Sequence, residues 1–265
     1  MFNLNKEKNR NTPFAFALFL ALFLLSSLSP QAFAAEDAST LTEKQKSDVN
    51  DLIRKFILNN PKVVLESVQN MERQNEADKE RQAQVAINDR ASDIFSDPHS
   101  VVGGNPNGDV TLVEFFDYQC GYCKRVHPVV RQLLKEDQNI KFVYKEFPIL
   151  GPASTYAAKA SIASIEQGKY LEFHNALMEV KGGLSEELVL KIASAVGLDR
   201  DKLTKSISEQ NDKSNEIVQL NHNLAADLAI NGTPAFIIGN EIIRGAVGLD
   251  VLKQLVAEAR ASKKG

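Results

Sequence analysis

"VEFFDYQCGYCKRVHPVV", residues 113–130, holds both cysteines of the chain, Cys120 and Cys123. They follow an apolar run, "DVTLVEFFD" (109–117), that reads as a buried strand. They open a segment, from about Cys120 to Asp137, that reads as a helix. "IKFVYKEFP" (140–148) is the next strand, and strand, helix and strand at this spacing give a βαβ unit with a parallel pair. Cys120 then lies at a helix N-terminus. There the dipole and the unpaired N–H groups favour a thiolate, the attacking form of cysteine. Cys123, one turn along, can reach back to it. A bond between the two closes almost no chain, so it removes little entropy from the unfolded state. The pair therefore reads as a reagent and not a brace. Cys120 would form a mixed disulfide with a substrate, and Cys123 or a substrate thiol would resolve it.

Beyond this unit, "SDPHSVVGGNPNGD" (96–109) is rich in turn formers and reads as a domain boundary. From Ala153 to Ala229 only helical patterns occur, among them "YLEFHNALM" (170–178) and "SEELVLKIASAVG" (185–197), which opens on a cap signal and stops at Gly197. Strand signals return at "PAFIIG" (234–239) and "EIIRG" (241–245), joined by the short turn Gly239-Asn240. "LDVLKQLVAEARA" (249–261) is a final helix. The expected fold is α/β: a thioredoxin-like fold over 96–265 with a helical insertion at about 150–230, preceded by an N-terminal helical oligomerisation module.

That module occupies 35–71. Val49, Leu52, Ile53, Phe56 and Ile57 recur at helical spacing, "NNP" (59–61) breaks the first helix, and Val64, Leu65, Val68 and Met71 continue an apolar stripe. Residues 72–95 read as a helical stalk, because 72–84 are polar all round. Val85, Ile87, Ile94 and Phe95 mark the return to a packed surface. Two such helices bury too little by themselves, so they are expected to pair with other copies as a homodimer or homotrimer. The alternative is that they fold back on the main domain.

Residues 1–34 have the layout of a secretory signal peptide: Lys6, Lys8 and Arg10, an uncharged apolar run from Phe14 to Leu25, and a small-residue site at Ala32-Phe33-Ala34. The apolar run is short for a membrane span. The expected location is the periplasm, with surface association left open. Among the 265 residues the formal net charge is −3, which argues against nucleic acid as a partner.

Cys120-Gly121-Tyr122-Cys123, with Glu114 six positions earlier and Thr233-Pro234 before a late strand, resembles the thioredoxin-fold oxidoreductases, and the helical insertion resembles the DsbA family. The resemblance implies that Cys120 is the exposed nucleophile and Cys123 its buried partner. Pro234 matches a cis-proline facing the disulfide, whose neighbouring backbone can pair with an extended substrate. Gly121, Tyr122 and Thr233 complete the substrate-binding set. Glu114 matches a partly buried acid that exchanges a proton with Cys123, its pKa raised by an apolar strand. Pro128 matches a helix-kinking proline. The Gly-Tyr dipeptide and Thr233 are similar to those of the isomerase DsbC, and the N-terminal module resembles that of oligomeric ScsC and Com-type members. These favour a disulfide isomerase, or a mixed oxidase and isomerase. Its substrates would be unfolded or misoxidised exported proteins, and its redox partner a DsbD-like reductant or DsbB-like oxidant in the membrane.

Other readings compete. Zinc needs two more ligands, and His99, His127, His174 and His222 form no paired ligand motif, so no metal and no cofactor is expected. Two thiolates could capture Cu(I) in a copper-stress role. The chain could also be a dedicated disulfide reductase, or a binding protein that kept the fold without the catalysis. His127 reads as a rim residue. Lys124 and Arg125 either favour the thiolate or form a solvated face.

Overall fold

The computed structural model describes residues 41–209 and 211–262, so the expected signal peptide lies outside the described residues. The chain divides into two units between Val64 and Leu65.

Helix α1 (Glu43–Asn59) starts on a reciprocal cap: Thr42 Oγ1 accepts from Gln45 N–H, and the Gln45 side chain accepts from Thr42 N–H at 2.9 Å. Helix α2 (Pro61–Asp89) opens on Pro61, whose missing N–H the first turn would leave unpaired anyway. No residue of α1 is buried, and its apolar stripe is open, with Leu52 66% and Phe56 56% exposed. Val64, Leu65, Val68 and Met71 of α2 are exposed too. Ile87, and Ile94 of the short helix α3 (Ala91–Phe95), enter the core, as expected. Val85 does not: it is exposed, because positions 85 and 87 lie about 200° apart on a helix and cannot both face inward.

The sheet has strands β1 (Val101–Gly104), β2 (Val110–Phe116), β3 (Ile140–Glu146), β4 (Ala235–Ile238) and β5 (Glu241–Arg244), in spatial order β1-β3-β2-β4-β5. β2 and β3 are parallel and connected through helix α4 (Gly121–Glu136); the other pairs are antiparallel. This is the expected βαβ unit and the expected hairpin, with Gly239 at φ 55° in the turn. β1 corrects the reading of 96–109 as boundary alone. Its two glycines look like loop residues but serve close packing. A Cβ on Gly103 would come within 2.9 Å of the Tyr144 ring, and one on Gly104 within 2.5 Å of Ile140 O.

β2 is central and buried on both faces. Val113 and Phe115 pack with Ile87, Ile94 and Leu224, so α3 and helix α9 (Asn211–Asp227) cover that side. Leu112 packs with Val126, Leu133 and Leu252, which places α4 and helix α10 (Leu249–Ser262) on the other. Between β3 and β4 the chain is helical, as expected. It forms α5 (Pro152–Ser164), a 3-10 turn (Ile165–Gln167), α6 (Tyr170–Met178), α7 (Glu186–Ala195), α8 (Arg200–Glu209) and then α9. Phe116, Tyr118, Cys120 and Cys123 share one apolar cluster with Ala160, Phe173, Leu177 and Leu203, so the cysteine pair sits on the floor of the helical insertion. The architecture is the thioredoxin-like α/β fold with an inserted helical domain. Among the described residues no helix is long and apolar enough to cross a membrane.

Candidate active site

Cys120 is the N-cap of α4. Its backbone is extended (φ −71°, ψ 113°), and its N–H is held by Asp117 O at 3.0 Å. Its Sγ therefore takes the place a Ser or Asp side chain would take at a helix start, accepting from Cys123 N–H at 3.4 Å. As a thiol, Sγ–H donates to Thr233 O at 3.2 Å. As a thiolate it gives up that bond and collects donors. The Cys123 thiol contributes most to the shift, followed by the Thr233 side-chain hydroxyl and the N–H groups of Cys123 and Tyr122. Against the opposing effect of burial they bring its pKa down to about 5. Cys120 is thus ionised at neutral pH.

Cys123 is fully buried, and its thiol is pushed strongly up, first by burial, then by its hydrogen bond to Cys120, then by Glu114. The two thiols are opposites in charge: Cys120, 6% exposed, is ionised, and Cys123, fully sealed, is neutral. Both cysteines are free here. Glu114 lies in mid-β2 between Tyr144 of β3 and Phe236 of β4, on the face shared with Leu112. It is buried, not partly buried as expected, and burial, then the charge on Cys120, raises its pKa to about 8. An acid with that value can hold or release a proton near neutrality, next to the thiol that must lose one.

The Thr233–Pro234 bond is cis, and the pair faces Cys120 through Thr233 O. A cleft opens beside it, lined by Tyr122, Asn231, Thr233, Pro234, Arg244 and Gly245. Gly121 is exposed, with open space where a Cβ would sit, and Tyr122 is 60% exposed with Arg125 stacked on its ring at 4.2 Å. The fold thus brings Cys120, Gly121, Tyr122, Cys123, Glu114, Thr233 and Pro234 together from α4, β2 and the loop before β4. Pro128 lies within α4.

Sequence reading missed a second group of residues, those that fix the approach to Cys120. Asp117 is buried and accepts from Ile149 N–H, Leu150 N–H and Ser154 Oγ–H at 2.7–2.9 Å, and from Gln119 N–H at 2.7 Å. Tyr118 donates to Glu146 Oε1 at 2.8 Å, and Tyr170 donates to the same oxygen at 2.7 Å. Because Tyr118 has one hydrogen to give, its oxygen is left to accept from His174 Nδ1–H at 3.0 Å, which fixes that ring's tautomer. Gln119 Oε1 accepts from Leu184 N–H at 3.0 Å, and Lys124 Nζ donates to Val180 O at 2.8 Å and Gly182 O at 3.3 Å. His127 is buried and packs edge-on against His174, which corrects its reading as a rim residue. Four residues after Cys123 on a helix is the same inward face. Burial, then Arg131, lowers its pKa to about 4, so it is neutral at physiological pH. The one signal in the sequence was the polar pair Asp117-Tyr118 directly after the apolar strand and just before the cysteines.

Comparison with known proteins agrees with this geometry. Residues 111–257 match the model of the DSBA-like thioredoxin domain. A thioredoxin-like oxidoreductase from Silicibacter pomeroyi is 42% identical, with a TM-score of 0.62 over 64% of this chain and 97% of that one. The thiol-disulfide exchange protein alpha-DsbA2 from Wolbachia pipientis is 35% identical, with a TM-score of 0.64 over 68% and 96%. ScsC from Proteus mirabilis is 29% identical, with a TM-score of 0.63 over 84% and 100%. The chain spans about a quarter of the length of the curated relatives it matches, such as a sodium/proton antiporter of Salinispora tropica that is 29% identical over 166 residues. Cys120 is buried at 6% exposure, not exposed as expected, because the Thr233-Pro234 loop packs over it; Cys123 lies one helical turn on at 0%. Two thiols so placed on this fold form a site suited to thiol–disulfide exchange, and the chain belongs to the DSBA-like thioredoxin domain family.

Proposed function

We propose that this chain exchanges disulfides with exported proteins in the periplasm, as an isomerase or a mixed oxidase and isomerase. The observation that carries the reading is the asymmetry of the two thiols: Cys120 ionised at a helix start, Cys123 neutral and buried beneath it. The Cys120 thiolate attacks one sulfur of a client disulfide. The S–S bond breaks, a mixed disulfide forms, and the other client sulfur leaves as thiolate. If that thiolate attacks another client disulfide, the wrong bond is exchanged and Cys120 is released with no net electron transfer. If Cys123 attacks Cys120 instead, the client leaves reduced and the Cys120–Cys123 disulfide forms; the reverse sequence oxidises a client dithiol. In the mixed disulfide Cys120 carries no charge and no longer raises Glu114, so Glu114 ionises more readily and accepts the proton that Cys123 gives up. Thr233, Pro234 and Tyr122 border the cleft where the client backbone lies, and Gly121, beside Cys120, leaves room for its approach. Net oxidation or reduction requires recharging by a DsbB-like oxidant or DsbD-like reductant in the membrane.

Export rests on residues 1–34 and their signal-peptide layout. Assembly as a homodimer or homotrimer through 41–71 rests on the unburied apolar stripe of α1 and early α2. Several sites around a shared cleft would suit reshuffling of bonds within one client, and would hinder docking to a membrane oxidase. Insulin reduction by wild type and by Cys120→Ala tests the exchange itself, and refolding of a scrambled multi-disulfide protein tests isomerisation. Removing residues 35–71, which keeps Ile87 and Ile94 in the core, should leave a monomer that reduces insulin but isomerises poorly. A monomer with undiminished isomerase activity would contradict the oligomeric part.

A further inference from the structure

The two residues that follow Cys120 each border a cleft, Tyr122 one and Gly121 another. One is the cleft beside Thr233-Pro234. The other runs along α4 on its α6 side, from Gly121 past Lys124 and Pro128 to Arg131, with Met178 and the segment 179–182 as its far wall. Nothing in the exchange mechanism uses this second groove. Tyr122 borders the first cleft and Arg125 the second, so their stacked pair forms the ridge between them.

The charge of this groove runs against that of the chain. The whole sequence carries −3, yet the groove is lined by Lys124, Arg125, Arg131 and Lys181 against one lining carboxylate, Glu179. Glu179 is already engaged by Arg131 at 2.8 Å. Lys124 is fixed by main-chain carbonyls, which hold its ammonium in place without neutralising it. The buried Asp117 and the charge on Cys120 both act on Lys124 and offset part of its charge; with Arg125, Arg131 and Lys181 the groove remains positive. Its apolar lining comes from Pro128, Val180 and the buried Met178. A positive trough with an apolar lining, opening next to the nucleophile, is complementary to an extended segment that alternates carboxylates with apolar side chains.

We infer that this groove is a second client subsite, which selects cysteines flanked by acidic residues. The inference rests on the proposed disulfide exchange and adds a sequence preference to it. The Tyr122–Arg125 ridge separates the chain on either side of the client cysteine: one side lies along Thr233-Pro234, the other along α4.

The test uses the reduced full chain and three peptides of equal length, each carrying one mixed disulfide and differing only in flanking residues: Asp/Glu, Ser/Asn or Lys/Arg. Acid-quenched mass spectrometry follows their reaction rates. At low ionic strength the acidic peptide should react at least about fivefold faster than the basic one, with the gap closing in 1 M salt (about 3 Å screening length). The net charge of the chain alone would give the opposite order. Arg125→Glu with Lys181→Glu should remove or invert the ratio of acidic to basic rates. Using this ratio separates selectivity from any change in the reactivity of Cys120, which scales all three peptides together. Equal rates at low salt, or a ratio that the double substitution leaves unchanged, overturns the subsite while leaving disulfide exchange standing. A chain inert toward all three peptides overturns both.

Discussion

Gln119 and Lys124, the residues immediately before and after the Cys-x-x-Cys motif, grip the same loop of the helical insertion. Gln119 accepts from Leu184 N–H, and Lys124 donates to Val180 O and Gly182 O. The insertion is thus clasped to the motif from both sides of it, and each clasp can be undone separately. Gln119→Ala removes one net contribution of ~1 kcal/mol, so Leu184 N–H should exchange with solvent about fivefold faster. Hydrogen exchange with mass spectrometry reads this over 180–184. Unchanged protection there would mean the loop is held by its own packing.

Glu114 should trade stability for proton handling. Its carboxyl titrates near 8 in the folded chain, against 4.5 for an ordinary glutamate. Between those values the unfolded chain has lost the proton and the folded chain keeps it, so the contribution to stability is full below 4.5 and falls as pH rises towards 8. Glu146, buried and likewise raised to about 8, contributes the same trend. Glu114→Gln should therefore be more stable than wild type at pH 8 and show a shallower decline by urea unfolding at pH 5 and 8. Resolution of a mixed disulfide by Cys123 should slow by at least about tenfold in the same variant.

The buried chain His174–Tyr118–Glu146–Tyr170 fixes the segment that delivers Cys120. Tyr118→Phe leaves His174 Nδ1 without its partner and takes one of two donors from Glu146. A loss of about 1–3 kcal/mol in unfolding free energy is expected, with little change in volume to confuse it. A loss below about 0.5 kcal/mol, within the range of a surface change, would mean the network adds nothing.

Lys145 is a buried cation on β3, held by Asp97 at 2.6 Å and Asp93 O at 2.7 Å. Removing it as Lys145→Met strands a carboxylate and should cost about 3 kcal/mol. Burial raises the pKa of Asp97, but hydrogen bonds from Lys145, Ser100 and His99 N–H outweigh it, and the net shift is downward. That contribution is present above 3.8 and is lost as pH falls through the lower folded value. Acid unfolding below pH 4 should accordingly be less steep in Lys145→Met than in wild type.

Sequence was informative wherever one rule acted alone. The apolar run of β2, the helix start at Cys120 and the Gly239-Asn240 turn each follow from local pattern, and together they define the fold. It misled where two partners distant in the chain act together. Gly103 and Gly104 look like loop residues until Tyr144 and Ile140 are seen against them. His127 could have been placed inward from its spacing to Cys123, but its neighbour His174 comes from α6. Gln119, Tyr118 and Asp117 take their roles from the helical insertion, and no local pattern encodes such long-range bonds.

The central claim is that Cys120 is an ionised, accessible thiol at neutral pH. The direct measurement is the rate of carbamidomethylation of Cys120 in the fully reduced chain as a function of pH, with site-resolved mass spectrometry and Cys120→Ser as the blank. A midpoint near 5 and a plateau through pH 7 are expected, with Cys123 unlabelled. A midpoint near 9, the value of an unperturbed cysteine, would contradict it.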